Sequence, residues 1–315
     1  MIHKKVKFVG ARRACGAVML AGARVSSVWA VLAVAAVAAA AVAARQLADT
    51  SQGQDLPRCI DRDTGELTKQ SGRVKKARAK VGAKAHLQHP HAVLFASACG
   101  ATVLSPTWLI TSAHCTLFMK GSTVIAGTGR QDDGSGHRAE IKRLVVHPRF
   151  TIGPYWLSPT SYNIKQVAAR YDFMLVELEE PLPLDKKNIR AASLAAPSAR
   201  SGRNVGYGGY GAKFHGGVLQ RSMHAAELRT VKDATCARKL EQFDRADMLC
   251  AKGRPPRLDS ACNGDSGSGL VDDSGRLLGV VSWVEGDATS CFPGAIVVFA
   301  RVSAARDWIR EVTGL

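Results

Sequence analysis

Three short segments, far apart in the chain, contain side chains that could together make a hydroxyl group reactive. The first surrounds Ser266, which has Gly264 two positions before it and Gly267 one position after it. Glycine lets the backbone turn sharply and can bring amide N–H groups beside the hydroxyl. The segment is compatible with a nucleophilic serine, but an ordinary Gly-Ser loop has the same composition.

The other two segments supply an imidazole and a carboxylate. His114 follows the apolar run 109–111, and Asp172 directly precedes the apolar run 173–178. A histidine can take a proton from serine near neutral pH and return it to a leaving group, and a buried carboxylate can orient the ring. Taken singly, His114 is typical of a packed or solvated histidine at a strand end, and Asp172 of an aspartate in a turn.

The segments Thr-Ser-Ala-His-Cys, Asp-Phe-Met-Leu and Gly-Asp-Ser-Gly occur in this order, and together they resemble the chymotrypsin/trypsin family of serine peptidases over residues 81–315. The resemblance implies that His114 is the general base and acid, that Asp172 orients it, and that Ser266 is the nucleophile. It also implies that the backbone N–H groups of Gly264 and Ser266 form the oxyanion hole. We therefore expect a secreted serine endopeptidase of bacterial type that forms an acyl-enzyme.

The resemblance also assigns residues to the substrate-binding pocket. Ser260 stands two places before Cys262, where members that select Arg or Lys have Asp. Ser282 and Trp283 correspond to the strand that braces the aspartate and pairs with the substrate backbone. Val284 replaces the glycine of deep-pocket members, so its side chain narrows the pocket. We expect a preference for small or medium apolar side chains rather than Arg or Lys.

Members of this family usually become active when cleavage frees an aliphatic N-terminus, whose ammonium group pairs with the aspartate before the nucleophile. That aspartate is Asp265 here, and cleavage after Lys80 would expose Val81. Val81 lies nine residues before Pro90, which is a shorter distance than is usual in the family. Val81 and Asp265 are the expected activation residues.

The chain contains eight cysteines, and the resemblance implies three disulfides among them. These join Cys99 to Cys115, Cys236 to Cys250 and Cys262 to Cys291. For loops of this length the chain-entropy model gives about 3 kcal/mol of stabilisation each. Cys15 falls in the leader and Cys59 in the segment after it, where Cys59 has no obvious partner.

Short runs rich in Val, Ile and Leu, bounded by turn residues, predict strands from residue 92 onwards. Long amphipathic stretches are nearly absent before the end of the chain, where Ser303 is predicted to cap a helix through Ile309. The pattern predicts a mostly β fold. With the resemblance, it implies an all-β fold of two antiparallel six-stranded Greek-key β-barrels, residues 81–195 and 196–315, with a C-terminal helix.

Residues 1–44 are typical of an export signal. Basic residues precede an uninterrupted apolar run of 17 residues, Val28 to Ala44, which ends in the small residues that signal peptidase accepts. At about 1.5 Å per residue the run is about 25 Å long, slightly short of a hydrocarbon core of about 30 Å. A cleaved signal is favoured, so we expect a secreted or periplasmic protein. An uncleaved membrane anchor is the alternative.

Most of the net charge of +17 lies in the first quarter of the chain. Residues 45–80 are polar, lack hydrophobic periodicity and end in a cluster of lysines and arginines that offers trypsin-type cleavage sites. These residues are predicted to be a basic pro-segment or linker. A solvated linker that binds polyanions nonspecifically has the same composition.

Two further motifs are not interpreted as sites. The segment 206–211 matches the glycine fingerprint of dinucleotide-binding proteins, but no βαβ unit surrounds it. His86, His89 and His91 could form a metal cluster, but Pro90 and the loop context favour solvated histidines. We therefore expect no metal and no cofactor.

The expected partners are protein or peptide substrates, with a protein inhibitor as a further candidate. Nucleic acid is not an expected partner, since the body of the chain is only mildly basic, and a membrane is expected only if the leader remains as an anchor. The alternative function is a catalytically silent binding protein on the same scaffold, which recognises polyanions or protein partners.

Overall fold

The computed structural model describes residues 82–153, 168–196, 201–286 and 291–315. The predicted export signal 1–44, the predicted pro-segment 45–80, Val81 and Cys59 lie outside the described residues.

The first barrel is a closed sheet of six antiparallel strands. Their order around the barrel is β1, β2, β3, β8, β5, β4. A separate pair, β6 and β7, precedes β8 in the chain. The strands are β1 (Ala92–Phe95), β2 (Cys99–Val103), β3 (Trp108–Thr111), β4 (Thr123–Ala126), β5 (His137–Val146), β6 (Thr151–Ile152), β7 (Ala169–Arg170) and β8 (Met174–Leu178).

The second barrel follows the same plan. Six strands lie in the order β13, β10, β11, β12, β15, β14, and pairing of β13 with β14 closes them. A short strand, β9, adds to β14 in parallel. The strands are β9 (Ser193–Leu194), β10 (Asn204–Gly209), β11 (His224–Thr230), β12 (Met248–Gly253), β13 (Gly269–Asp272), β14 (Arg276–Val284) and β15 (Ile296–Arg301). The predicted fold class, two six-stranded barrels, is confirmed.

In the described residues, three α-helices accompany the strands. The described chain opens in helix α1, residues 82–88, while α2 (Asp233–Lys239) precedes β12 and α3 (Arg306–Thr313) ends the fold. The predicted C-terminal helix is therefore present, but Ser303 does not cap it. Val302–Ala304 form a 3₁₀ turn, and Ala305 occupies the cap position.

The apolar runs become strands because their side chains fill five clusters of buried apolar residues in the described part of the chain, of which three are the largest. Phe95 and Leu109 belong to the core of the first barrel, and Tyr207 and Phe299 to that of the second. A third cluster joins both barrels to α3, since Ile110, Phe173 and Leu175 pack there with Val280 and Ile309. This shared core fixes one barrel against the other.

Three disulfides join the cysteine pairs that the resemblance implied. Cys99–Cys115 connects β2 to the turn after β3, and Cys236–Cys250 connects α2 to β12. Cys262–Cys291 connects two loops on the cleft side of the second barrel. Such links restrict the unfolded chain and thereby stabilise the loops that they join.

Candidate active site

His114 and Asp172 form a buried pair on the first barrel. His114 lies in the 3₁₀ turn Ala113–Leu117 directly after β3, and Asp172 lies between β7 and β8. The Nδ1 atom of His114 is 2.6 Å from Oδ2 of Asp172, and the backbone N–H of His114 donates to Oδ1 at 2.9 Å. Because an ionised carboxylate only accepts hydrogen bonds, Nδ1 carries the proton and Nε2 is left as the basic atom of the ring.

A third donor comes from the second barrel. The hydroxyl of Ser282, on β14, donates to Oδ2 of Asp172 at 2.5 Å. Burial alone would raise the pKa of Asp172, but the charge and hydrogen bonds of His114 and the hydroxyl of Ser282 hold that pKa below its usual value. Asp172 therefore stays ionised although its side chain is inaccessible to solvent.

The backbone before Asp172 is held in an unusual conformation. Tyr171 has a φ of 45°, which a tyrosine rarely adopts. Its N–H donates to Oδ2 of Asp247 at 2.7 Å, and Arg170 donates to the same carboxylate. The tyrosine ring stacks on His147 at 5.1 Å. Asp247 thus fixes the chain that carries Asp172, and no sequence motif pointed to it.

Ser266 lies in a tight loop that touches the first barrel. The backbone N–H of Gly100, on β2, donates to the carbonyl oxygen of Ser266 at 2.8 Å. Gly267 has a φ of 83°, and a Cβ atom on it would lie 2.1 Å from Oγ1 of Thr111 and 2.2 Å from the carbonyl oxygen of Gly100. Only glycine permits both this backbone conformation and this close approach. The glycines around Ser266 are therefore structural requirements of the loop.

A cleft of about 1360 Å³ lies between the two barrels, and both His114 and Ser266 line it. Of the other predicted site residues, the cleft is lined by Gly264, Ser282, Trp283 and Val284. Asp172 and Asp265 are buried, each with at most 1% of its surface exposed. Ser260 is not among the lining residues, whereas the adjacent Ala261 is, and Val81 lies outside the described residues.

The histidines near the start of the described chain are buried, so the prediction that they are solvated is wrong. His86, His89 and His91 are at most 8% exposed, because α1 and the turn after it pack against the barrels. Burial lowers the pKa of His89 to about 4 and that of His91 to about 3, so both rings are neutral at pH 7. Among the described residues, no group of three His, Cys, Asp or Glu side chains is arranged to hold a metal ion.

Fold and site together are those of a two-barrel serine peptidase, and comparison with known proteins agrees. The trypsin family model matches residues 72–309. Scolexin B of Heliothis virescens is 57% identical over 72% of this chain and 78% of its own length. Trypsin 5G1 of Aedes aegypti is 30% identical, covering 69% and 76% respectively. Human transmembrane protease serine 11A is 29% identical over 69% of this chain and 50% of its own length.

The chain belongs to the trypsin family, and it is a serine-type endopeptidase that acts on protein or peptide substrates. The three relatives named here are animal proteins, whereas the sequence was expected to be of bacterial type. Within the described ranges, no helix is long and apolar enough to cross a membrane.

Proposed function

We propose that the protein is an exported endopeptidase that cleaves peptide bonds through an acyl-enzyme on Ser266. The observation that carries this proposal is the buried His114–Asp172 pair at 2.6 Å, in the wall of the cleft that Ser266 also lines. Nε2 of His114 removes the hydroxyl proton as Oγ of Ser266 attacks the scissile carbonyl carbon. The protonated ring then passes that proton to the leaving amine, and the C–N bond breaks.

Deacylation repeats these steps with water as the nucleophile. His114 takes a proton from the water, which attacks the ester carbonyl, and then returns a proton to Oγ of Ser266. Asp172 keeps the ring oriented and stabilises its charged form in both steps. The net reaction consumes one water and releases an acid and an amine.

The negative oxygen of each tetrahedral intermediate needs donors that are in place beforehand. Backbone N–H groups of Gly264 and Ser266 are the proposed donors. Gly264 has a φ of 95°, a conformation that favours glycine, and both residues line the cleft. Loss of one such donor typically costs about 3 kcal/mol of transition-state stabilisation.

We propose a primary specificity for small or medium apolar side chains. Ala261, Val281 and Val284 are apolar residues that line the cleft, and Val284 stands where a glycine would leave more room. Ser260 carries no charge that could pair with Arg or Lys, although its neighbour Asp259 does. The carboxylate of Asp259 is 3.0 Å from Arg257, which satisfies its charge.

The proposed chain organisation is a leader of residues 1–44, a basic pro-segment of residues 45–80 and a peptidase domain of residues 81–315. Export is supported by the charge and length of the leader, and the oxidising compartment that it reaches suits three disulfides. Cleavage before Val81 would release the peptidase domain. A protein inhibitor that fills the cleft is a further proposed partner.

A fluorophosphonate probe and a peptide-library cleavage profile test this function directly. We expect the probe to label the wild-type protein but not Ser266→Ala, and we expect His114→Ala to lower turnover by several orders of magnitude while the domain stays folded. Absence of labelling in a correctly processed wild-type protein would favour the silent binding protein instead. Cleavage after Arg or Lys in the library would contradict the proposed specificity.

A further inference from the structure

Asp265, directly before Ser266, is surrounded by hydrogen-bond donors. Its Oδ1 accepts the backbone N–H of Gly211 at 3.0 Å, and its Oδ2 accepts the N–H of Cys262 at 3.1 Å and the hydroxyl of Tyr207 at 3.3 Å. These neutral donors stabilise the carboxylate, but they do not balance its charge. A nearby cation further reduces the cost of burying a carboxylate.

That cation is supplied by a histidine of the second barrel. Nε2 of His224 lies 3.2 Å from Oδ1 of Asp265. His224 begins β11 and pairs across the ladder with Gly209 of β10. A Cβ atom on Gly209 would lie 2.2 Å from Oδ1 of Asp265, so the glycine leaves the carboxylate room to lie beside β10. Among the described residues, the cation that pairs with Asp265 is therefore His224.

Several charged or titratable groups face His224. Asp265 and Asp259 favour its protonated form, whereas Arg257 opposes it, and the buried His89 is close enough to be affected by its charge. The ring of Tyr207 lies edge-on at 6.3 Å. Burial lowers the pKa of His224, but the charge of Asp265 and the hydrogen bond to it outweigh burial, and the pKa lies above its usual value.

We propose that protonated His224 is a positioning residue that balances the charge of Asp265 and so holds the oxyanion loop, residues 262–267. The inference rests on the proposed function of Ser266. A new N-terminus at Val81 would then play a smaller part in balancing the charge on Asp265, because His224 already balances it from within the fold.

The His224–Asp265 pair is compatible with an oxyanion hole whose N–H donors are available to a substrate. Within the described residues, neither the N–H of Gly264 nor that of Ser266 donates to a backbone carbonyl, and both residues line the cleft. The arrangement with His224 is therefore one in which both donors can reach a substrate. Removing the charge on His224 leaves Asp265 buried without a counter-ion, and the loop that it anchors then relaxes.

The test compares kcat/KM for a small ester substrate in the wild-type protein, His224→Gln and His224→Arg between pH 6 and pH 9. We expect His224→Gln to lose at least about tenfold in kcat/KM at pH 7, mostly in kcat, because an uncompensated buried charge destabilises the loop. Wild-type activity falls on the alkaline side as His224 loses its proton. We expect His224→Arg to keep its activity there, since arginine remains charged.

His137→Gln is the matched control, because His137 is an exposed histidine on β5 of the other barrel. We expect its kcat/KM and pH profile to equal those of the wild type. Equal activity of His224→Gln and wild type at every pH would overturn the proposal. Higher activity of that variant would also overturn it, since His224 would then hold the loop in an inactive arrangement.

If His224→Gln fails to fold, the comparison of wild type with His224→Arg decides the question, because an alkaline fall that persists in the arginine variant would also overturn the proposal. Labelling of wild-type Ser266 by a fluorophosphonate is measured alongside. A wild-type protein that neither labels nor hydrolyses the ester refutes the proposed function itself, which is a different result from any outcome for His224.

Discussion

The carboxylate of Asp172 shows how single side chains set the chemistry of the cleft. It accepts the backbone N–H and the ring of His114 and the hydroxyl of Ser282, and its side chain has no exposed surface. Hydrogen bonds to a buried charge are worth more than those between neutral groups, because water cannot replace them. Each donor therefore contributes to keeping the His114 ring in place.

Replacement of Ser282 by alanine removes one of these donors. We expect kcat/KM for an ester substrate to fall about 10- to 100-fold, because a hydrogen bond to a buried charged group contributes about 1.5–3 kcal/mol and each 1.4 kcal/mol is about tenfold in rate. Ser268→Ala is the matched control, since Ser268 is equally buried and its hydroxyl has no hydrogen-bond partner among the described residues. Equal losses in the two variants would show that Ser282 acts only through packing.

At the scale of elements, the segment that leads from β7 into β8 is held by a contact with the second barrel. Asp247, just before β12, accepts hydrogen bonds from Arg170 and from the backbone N–H of Tyr171. It is fully buried, whereas Asp244, which binds the same arginine, is 43% exposed. Substitution of each carboxylate in turn therefore compares the effect of a buried structural contact with that of a surface ion pair.

We expect Asp247→Asn to lower kcat/KM and to reduce the free energy of unfolding by about 2 kcal/mol, because one acceptor of a buried charged network becomes a donor. The change should appear in kcat rather than KM, since Asp172 shifts while the pocket is unaltered. Asp244→Asn should change either quantity by at most about 1 kcal/mol, as surface ion pairs do. Urea unfolding and steady-state kinetics measure both. If Asp247→Asn lowers the free energy of unfolding more than Asp244→Asn does but leaves kcat unchanged, Asp247 does not affect the catalytic geometry.

Local patterns predicted most of the elements, but not the contacts between them. The apolar runs that form β3 and β8 predicted strands, because each run supplies side chains to a barrel core. The pairing of Asp247 with Tyr171 joins residues 76 positions apart, and that of His224 with Asp265 likewise appears only when β10 and β11 fold against the oxyanion loop. Neither contact has a local signature, because ordinary aspartates and histidines make them.

The roles of His114, Asp172 and Ser266 came from joint resemblance to a family rather than from any one segment. Helix α2 was missed because its seven residues are too few for a clear amphipathic period. The burial of His86, His89 and His91 was missed for a different reason. It depends on the way that residues 82–91 pack against both barrels, and composition predicts a polar loop there.

For the whole molecule, the contact region between the barrels, here called the seam, contains the buried neutral histidines His89 and His91. His89 touches β10 of the second barrel, since a Cβ atom on Gly208 would lie 2.8 Å from Cβ of His89. His91 precedes β1 of the first barrel, and the two imidazole rings are 5.6 Å apart. Protonation of either ring would place a charge in this seam and next to the other ring.

This arrangement predicts that acid weakens the whole fold. Burial holds the pKa of His91 at about 3 in the folded protein, below the usual value of 6.5 for histidine. The contribution of the neutral ring to stability is therefore fully present above pH 6.5 and is lost as the pH falls towards 3. At about 1.4 kcal/mol per pKa unit, His91 alone accounts for a loss on the order of 3 kcal/mol at pH 4. We expect His91→Leu to remove that part of the loss in urea unfolding at pH 7 and pH 4. The exposed His137→Leu should leave the loss unchanged, and an equal acid loss in His91→Leu and wild type would show that the carboxylates, not the seam, determine acid stability.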